Sequence, residues 1–563
     1  MTERWIPSVA DRYDDERVRS FYASGVWRAE VHSDLLDAWC LRQPHKVCVS
    51  DGSGELTYAE LRGQAYRLAA ALRRMGVERG DRVVVQLPNW CEFAVTYAAL
   101  ARIGAVMVAL MTVYRHDEVA YIAELTAAKG IVTTGLFRKF DHLRMVRDIR
   151  PRCPSIEFVI AARTDPGPGE HAFAELTRPE AGTEAPSAVE LGPPPSPDDG
   201  HVCIFTSGTE ARPKGCYHTF NTYRASLQHL VKALGATEQD VAFMPSPLAH
   251  AVGMVFGLGV PLLSGSSTHL LDVWDPEIGL RRIQEYGCTN TATPTVFLQM
   301  ALDAFDPARH DLSSLRVWTC GGAPIPSSMV DRMARVWPQC RLLSLYGRSE
   351  VFVSTVCSID DPVEWSSSSD GHPPPWVELG ILDSEGRALP PGAEGEIVQR
   401  GPGTMLGYWN NPDRTADAFD QQGWAHSGDL GSIDDQGCLR VTGRLKDIII
   451  RGGVNISARE VEDHLMAHPN VKDAAVVAMP DKVLGERACA FVVPAGTPPT
   501  LEDLTTFLRV ERRISVIKLP ERLEIVDALP FTASGKVQKF QLRERVRRML
   551  EEEELARGML SVT

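Results

Sequence analysis

Apolar residues recur along the chain in two alternating rhythms. Ala59, Leu61, Ala65, Leu68, Ala69 and Leu72 follow helical spacing, and Gly76 can end that helix. The next run, Arg82-Val83-Val84-Val85-Gln86-Leu87, has the continuous apolar character of a buried strand. A helix over 92–102 and a strand over Ala105-Val106-Met107-Val108-Ala109-Leu110 repeat the pair. Such alternation predicts an α/β architecture with parallel sheet.

Two changes of texture interrupt this pattern. Between Thr164 and Gly200 stand eight prolines with glycines and acidic residues, the composition of a surface excursion. Near Gly443, turn-rich text gives way to a compact αβ stretch that runs to about Leu542 and can move as a body. Residues 543–557, with Glu551 to Glu554 in a row, predict a highly charged, solvated terminal helix. No internal repeat is present.

Length and composition narrow the class. At 563 residues the chain holds roughly three to five packing units. Hydrophobic content of 44% and charged content of 23% are ordinary for a globular protein. The net charge of −14 argues against a nucleic-acid partner, whose phosphates call for the opposite sign. No run reaches the roughly 18 apolar residues of a membrane span, and Met1-Thr2-Glu3-Arg4-Trp5 opens no secretory signal, so a cytoplasmic address is expected. The twelve cysteines are scattered without a C-x-x-C pair and read as buried reduced thiols. Of the 59 basic residues only 11 are lysines, so a lysine inside a motif carries information.

One such lysine lies in Thr206-Ser207-Gly208-Thr209-Glu210-Ala211-Arg212-Pro213-Lys214-Gly215, directly after the strand-like Val202-Cys203-Ile204-Phe205. Hydroxyls, backbone N–H groups and one cation are what polyphosphate oxygens need. It is not a Walker loop, because Pro213 precedes the lysine and Gly215 follows it. Composition alone is equally that of a surface turn. The order of residues decides: the segment resembles the signature loop of the adenylate-forming superfamily of acyl-CoA synthetases, peptide-synthetase adenylation domains and luciferases. Glu210-Ala211 stand where that family usually has Thr-Gly.

Further family motifs follow in order. Pro247-Leu248-Ala249-His250 resembles the segment bordering the carboxylate pocket, and Cys320-Gly321-Gly322-Ala323-Pro324 the turn along the adenine. Leu345-Tyr346-Gly347-Arg348-Ser349-Glu350 resembles the motif whose tyrosine stacks on adenine and whose glutamate helps hold magnesium. Gly395-Glu396-Ile397, Gly407-Tyr408 and Asn411-Pro412 stand at family spacing. The segment ending Ser427-Gly428-Asp429 resembles the ribose-binding stretch, Gly443-Arg444-Leu445-Lys446-Asp447 the hinge, and Pro530-Phe531-Thr532-Ala533-Ser534-Gly535-Lys536 the catalytic-lysine loop. The resemblance implies layered α/β subdomains plus a β-barrel-like subdomain in residues 1–445, and a small mobile α+β domain in 446–563.

It also implies a reaction. A carboxylate attacks the α-phosphate of ATP, pyrophosphate leaves, and the acyl group passes from acyl-AMP to the thiol of CoA. Two anions must approach, so positive charge is required: Mg2+ near Glu350, Lys214 with Thr206, Ser207, Gly208 and Thr209, and Lys536 between carboxylate and phosphate. Asp429 accepts from the ribose hydroxyls, Arg444 adds a donor, and Tyr346, with Gly321 to Pro324 and Gly347 to Ser349, borders the base. Lys446 is the implied hinge, and Arg451, Gly452 and Gly453 line the thiol tunnel.

The segments matching the family's acyl pocket, around His250, Ala251, Gly253, Val296, Cys320 and Gly322, carry no charge, which implies an apolar acyl group. The small residues Ala251, Gly253 and Gly257 leave room for an alicyclic or polycyclic body; a medium chain is also open. Amino-acid-activating relatives need an acidic partner for the ammonium, and none stands here. An alternative is loading of a separate carrier protein's thiol; another is a non-catalytic nucleotide-binding scaffold. Both monomer and homodimer stay open. His464 and His468 are four apart, but Leu465 occupies the Glu position of H-E-x-x-H, and no G-x-S-x-G occurs, so neither zinc nor hydrolase chemistry is expected.

Overall fold

The computed structural model describes residues 5–179, 185–206, 212–323, 325–452, 454–532 and 536–560. The chain divides into two compact units, Met1–Leu379 with Gln399–Ala425, and Gly380–Val398 with His426–Thr563.

The larger unit holds two eight-stranded sheets. The first runs Thr355–Val356, Arg341–Tyr346, Val317–Gly321, Asn290–Thr293, Val241–Met244, Ser267–Leu270, Val47–Asp51 and Gly54–Thr57, parallel except at its two edge strands. The second runs Gly407–Tyr408, Lys214–Thr219, Gly200–Thr206, Val106–Ala109, Arg82–Gln86, Gly130–Thr134, Phe158–Ala162 and His171–Ala172. Its first three strands are antiparallel and the rest parallel. The expected helix forms over Tyr58–Arg74. Its start is fixed by Thr57, whose hydroxyl accepts the Glu60 N–H while the Glu60 carboxylate accepts the Thr57 N–H at 2.8 Å. Leu61, Ala65, Leu68, Ala69 and Leu72 are its buried face, and the chain turns at Gly76 with φ of 82°. Helix Cys91–Ile103 is buried on all sides except at Glu92, as its apolar sequence requires.

The proline-rich stretch is more than a surface excursion. It contains helix Phe173–Thr177, and Phe173 and Leu191 are buried in the main core. The guanidinium of Arg102, itself buried, donates to the carbonyls of Ala188 (2.6 Å) and Gly192 (2.5 Å), which fastens the segment down. Proline removes the periodicity that would have marked these residues as core.

The β-barrel-like element takes the form of a four-stranded sheet of Glu378–Leu382, Gly395–Arg400, Ala425–Ile433 and Leu439–Arg444. The smaller unit also has a five-stranded sheet, Val454–Ser457, Ile448–Arg451, Gly485–Pro494 and Val471–Asp481, with Arg522–Ile525 pairing parallel to Gly485–Pro494. Alternation puts Val476, Ala488, Ala490 and Val492 on one face beneath helices Ala458–Leu465 and Leu501–Val510. Ala475, Val477, Cys489 and Phe491 face helix Lys539–Leu560. Residues 543–557 were expected to be solvated; instead Val546 is buried, one turn from the buried Leu542 at the end of the compact stretch, and the charged residues through Glu553 are exposed or half-buried. All twelve cysteines are free and eleven are buried. Among the described residues no helix is long and apolar enough to cross a membrane.

Leu542→Ala should destabilise the smaller unit by about 2–5 kcal/mol, the usual cost of truncating a buried leucine. Urea denaturation checks it, and a change within 0.5 kcal/mol of wild type would show that the helix is not docked.

Candidate active site

The loop that resembles a phosphate cradle joins two paired strands. Thr206 and Lys214 face each other in the last register of Gly200–Thr206 against Lys214–Thr219, while Ser207, Gly208 and Thr209 lie outside the described residues. On its other edge the Lys214 strand pairs with Gly407–Tyr408, Cys216 opposite Tyr408. Tyr408 donates its hydroxyl to Glu350 Oε1 at 2.8 Å, and Lys214 Nζ lies 5.5 Å from the centre of the Tyr408 ring. Lys214 and Glu350, separated by 136 positions in sequence, therefore border one aromatic ring.

Strand Arg341–Tyr346 leads into Gly347-Arg348-Ser349-Glu350. A Cβ on Gly347 would lie 1.8 Å from the Phe352 carbonyl oxygen, so only glycine allows this turn. The N–H groups of Val351 (3.1 Å) and Phe352 (2.6 Å) donate to the Arg348 carbonyl. The Ser349 carbonyl accepts from His218 Nε2 at 2.8 Å, which makes Nε2 the protonated nitrogen and leaves Nδ1 to accept from Thr222, 3.3 Å away. Burial lowers the His218 pKa to about 4, so the ring is neutral near pH 7. On the neighbouring strand end, Gly321 leads to Gly322, whose φ is 83°, and the Ala323 carbonyl accepts from Thr295 Oγ1 at 3.2 Å. Pro324 is outside the described residues.

His250 precedes helix Ala251–Met254 in extended conformation. This helix continues through a π-turn, Val255–Gly259, into Val260–Ser264. Pro261 has no N–H for the carbonyl four residues back, and that carbonyl, of Gly257, accepts instead from Thr268 Oγ1 at 3.0 Å. The Met254 carbonyl accepts from the Tyr223 hydroxyl at 2.8 Å. A Cβ on Gly253 would stand 2.0 Å from the Pro247 carbonyl oxygen, and one on Gly257 would stand 2.7 Å from Met244 Cγ. The space these glycines leave is thus taken by the protein's own backbone and side chains. Any room for an acyl group has to come from elsewhere. Ala251 is buried and Val296 half-buried, with Phe297 stacked on Trp274 at 4.8 Å. Cys320 is fully buried, and burial pushes its thiol up to about 12, which keeps it protonated and unreactive. In the same core, Trp318 donates to Thr293 Oγ1 at 2.8 Å and stacks on Trp337.

Asn89 was not found from sequence. It is buried, and its Nδ2 donates to the carbonyls of Ser246 (2.8 Å), Leu271 (3.0 Å) and Met244 (3.3 Å), while its Oδ1 accepts the Leu248 N–H at 2.8 Å. One amide side chain thereby fixes the start of Pro247-Leu248-Ala249-His250. The only available signal was a lone amide following the apolar strand Arg82–Gln86.

In the smaller unit, Asp429 and Arg444 are cross-strand partners, with Arg444 Nε 3.0 Å from Asp429 Oδ1. Asp429 is buried and Arg444 exposed. Glu396 shapes the same turn: its carboxylate accepts the Gly428 N–H at 2.9 Å and contacts His426 Nδ1 at 2.9 Å. Lys446 is exposed in a single 3-10 turn, Leu445–Asp447. Arg451 is held by Glu521 through Nε (3.2 Å) and Nη2 (2.9 Å). Gly452 has φ of 57°, and Gly453 is outside the described residues. The Lys536 N–H donates to Thr532 Oγ1 at 3.0 Å, and the Thr532 N–H to the Lys536 carbonyl at 2.7 Å, which closes the loop that carries this lysine. His464 contacts Arg512 and His468 packs on Phe507, so this histidine pair makes no joint site.

Among the described residues no group of three or more His, Cys, Asp or Glu side chains could hold a metal by itself. Mg2+ binds through one or two carboxylates and substrate phosphates and needs no such cluster.

The AMP-binding enzyme family matches residues 36–409, and its C-terminal domain matches 460–536. The chain belongs to this family and is an adenylate-forming ligase, with the mixed α/β fold of that superfamily. It is 36% identical over 544 residues to the medium-chain fatty-acid–CoA ligase of Escherichia coli strain K12, covering 96% of this chain and 94% of that one. It is 32% identical to the 2,3-dihydroxybenzoate-AMP ligase of Bacillus subtilis strain 168, covering 95% and 97%. The crystal structure of the anthranilate CoA ligase AuaEII with anthranoyl-AMP superimposes with a TM-score of 0.84 at 25% identity, over 93% of this chain and 98% of that one. Acyl-CoA ligases of the family use ATP, Mg2+ and CoA.

Two outcomes test this geometry. Asn89→Ala removes four hydrogen bonds and should raise KM for the acid while costing about 1–3 kcal/mol of stability, measured by steady-state kinetics and denaturation. His201, His218 and His269 have pKa values lowered by burial to about 3, 4 and 4. The unfolded chain therefore binds more protons below about pH 6.5, and stability, full above that pH, should fall toward pH 4 by up to about 1.4 kcal/mol per pH unit per histidine. His218→Asn should flatten that slope, as read from unfolding free energies between pH 4.5 and 7.5.

Proposed function

We propose that this ligase activates an apolar carboxylic acid as its acyl adenylate and transfers the acyl group to CoA. The observation that carries the acid class is the absence of charge along Ala251-Val252-Gly253-Met254-Val255-Phe256-Gly257 and Pro294-Thr295-Val296-Phe297-Leu298. An acid with an ammonium, or with a second carboxylate, would have no partner there. Medium-chain, alicyclic and polycyclic acids satisfy that requirement, and the medium-chain ligase relative supports the first.

In this proposal Thr206, Lys214 and the loop between them bind the triphosphate, and Tyr346, Gly347, Arg348 and Ser349 with Gly321, Gly322 and Ala323 border the adenine. Asp429 and Arg444 hold the ribose. Bound through Glu350 and the phosphates, Mg2+ supplies charge neutralisation for pyrophosphate departure. Lys536 supplies its ammonium to the carboxylate and α-phosphate as negative charge redistributes, and His250, Ala251, Val296 and Cys320 border the acyl side. Domains of 1–445 and 446–563 turn about Lys446 between half-reactions, after which Arg451 and Gly452 serve the thiol.

A second reading has a carrier-protein phosphopantetheine as acceptor, and the aryl-AMP ligase relative favours it. Pyrophosphate exchange across alicyclic, aryl, fatty and terpenoid acids, then CoA or holo-carrier protein with mass spectrometry of the thioester, separates the readings. Exchange with no acid in the panel would overturn the enzymatic proposal; thioester on carrier protein alone would overturn CoA. Lys536→Ala should lower exchange by roughly 10²–10³-fold, the scale of one preorganised charge-stabilising donor. Lys446→Pro should lose one half-reaction and keep the other, and normal rates in both would remove Lys446 from the hinge.

A further inference from the structure

The short strand Gly407–Tyr408 has no role in the nucleotide chemistry described so far, yet it sits between the two groups that chemistry needs. Its backbone is tied to both. The Leu406 N–H donates to the Tyr217 carbonyl (2.9 Å) and the Trp409 N–H to the Gly215 carbonyl (2.8 Å), on the strand that begins at Lys214. The Met405 N–H donates to the Glu350 carbonyl at 2.8 Å. The side chain repeats the connection, with the ring 5.5 Å from Lys214 Nζ and the hydroxyl 2.8 Å from Glu350 Oε1.

We infer that Tyr408 is a positioning residue for metal binding, orienting the Glu350 carboxylate toward the metal of the bound nucleotide and holding Lys214 beside it through the ring face. The inference rests on the assignment of Glu350 to Mg2+ and of Lys214 to the triphosphate. A carboxylate turns easily about its last bond, and a single phenol proton can fix only one of its oxygens. Pinning Oε1 sets the direction of the other oxygen, as a supporting hydrogen bond does for a metal-ligating carboxylate. The ring has a separate task. Its face attracts an ammonium without giving it a hydrogen-bond acceptor, so it steadies the lysine without adding an acceptor for its protons.

A buried tyrosine with a satisfied hydroxyl can also serve packing alone, and the experiment separates the two roles. Mn2+ binding to the full-length protein with α,β-methylene-ATP is measured by electron paramagnetic resonance, alongside the melting temperature of the ligand-free protein. Tyr408→Phe keeps the ring and removes the donor. The expected result is Mn2+ affinity weaker by on the order of tenfold, the scale of one hydrogen bond to a charged acceptor. Metal-free binding of the nucleotide analogue should stay close to wild type. Tyr408→Leu, lacking the ring as well, should weaken metal-free analogue binding in addition. Unchanged Mn2+ affinity in Tyr408→Phe, with or without a lower melting temperature, overturns the inference and makes the residue structural. Because this readout needs no acid substrate, it is independent of the pyrophosphate-exchange result that tests the function itself.

Discussion

The placement of Lys214 in the larger unit depends on one set of backbone hydrogen bonds. Strand Lys214–Thr219 is fixed on one side to Gly200–Thr206 and on the other to Gly407–Tyr408. A lysine side chain is long and flexible, and its ammonium is useful at a phosphate only when its base cannot drift. Pairing on both edges supplies that rigidity, and the same three-stranded patch brings in Tyr408 and, through it, Glu350. The larger unit thus brings the Lys214 ammonium and the Glu350 carboxylate to one ring from segments more than a hundred residues apart.

Much of this was legible in the sequence, for physical reasons. Helix Tyr58–Arg74 and strand Arg82–Gln86 announce themselves because each buries a face whose spacing follows its own period. The ordered motifs are legible because their turns need unusual residues at close spacing, such as Gly347, where a Cβ would collide with the Phe352 carbonyl. What escaped shares a different property. Asn89, and the contact of Tyr408 with Glu350 though not the Gly407-Tyr408 motif itself, depend on partners far away in sequence, and no local pattern marks an amide that will bind four backbone groups or a phenol that will meet a carboxylate. Phe173 and Leu191 escaped because proline erased the period around them. Val546 was obscured by the charges that flank it on the helix surface. Gly253 and Gly257 show the opposite error: small residues read as vacant space are sites of close approach.

The scarcity of lysine has a corresponding structural side. Arginine does much of the framework work: Arg163 bonds Asp51, Glu92 and Ser53 together, and Arg316 bonds Asp240 and the Leu234 and Gly235 carbonyls. A planar fork with several donors suits such multidentate joints. Lysine is not reserved for chemistry, since Lys518 bonds Glu460 and Lys539 bonds Glu462. The distinction lies in the kind of partner: these lysines meet carboxylates as a point charge, Lys539 having Asp447 at 4.0 Å beside Glu462, whereas the two arginines also bind a hydroxyl or backbone carbonyls.

The π-turn at Val255–Gly259 gives the helix after His250 one residue more than its length requires. In an α-helix each residue advances the facing direction by about 100°. Residues on the two sides of the turn are therefore set in different angular registers, with Pro261 and Thr268 stabilising the offset on one side and Tyr223 on the other. A helix built this way can change which side chains it presents near His250 by gaining or losing a single residue, without any change in the identity of the others. Under the proposed placement of His250 and Ala251 on the acyl side, the lining of that side can then change by length polymorphism within one helix as well as by substitution.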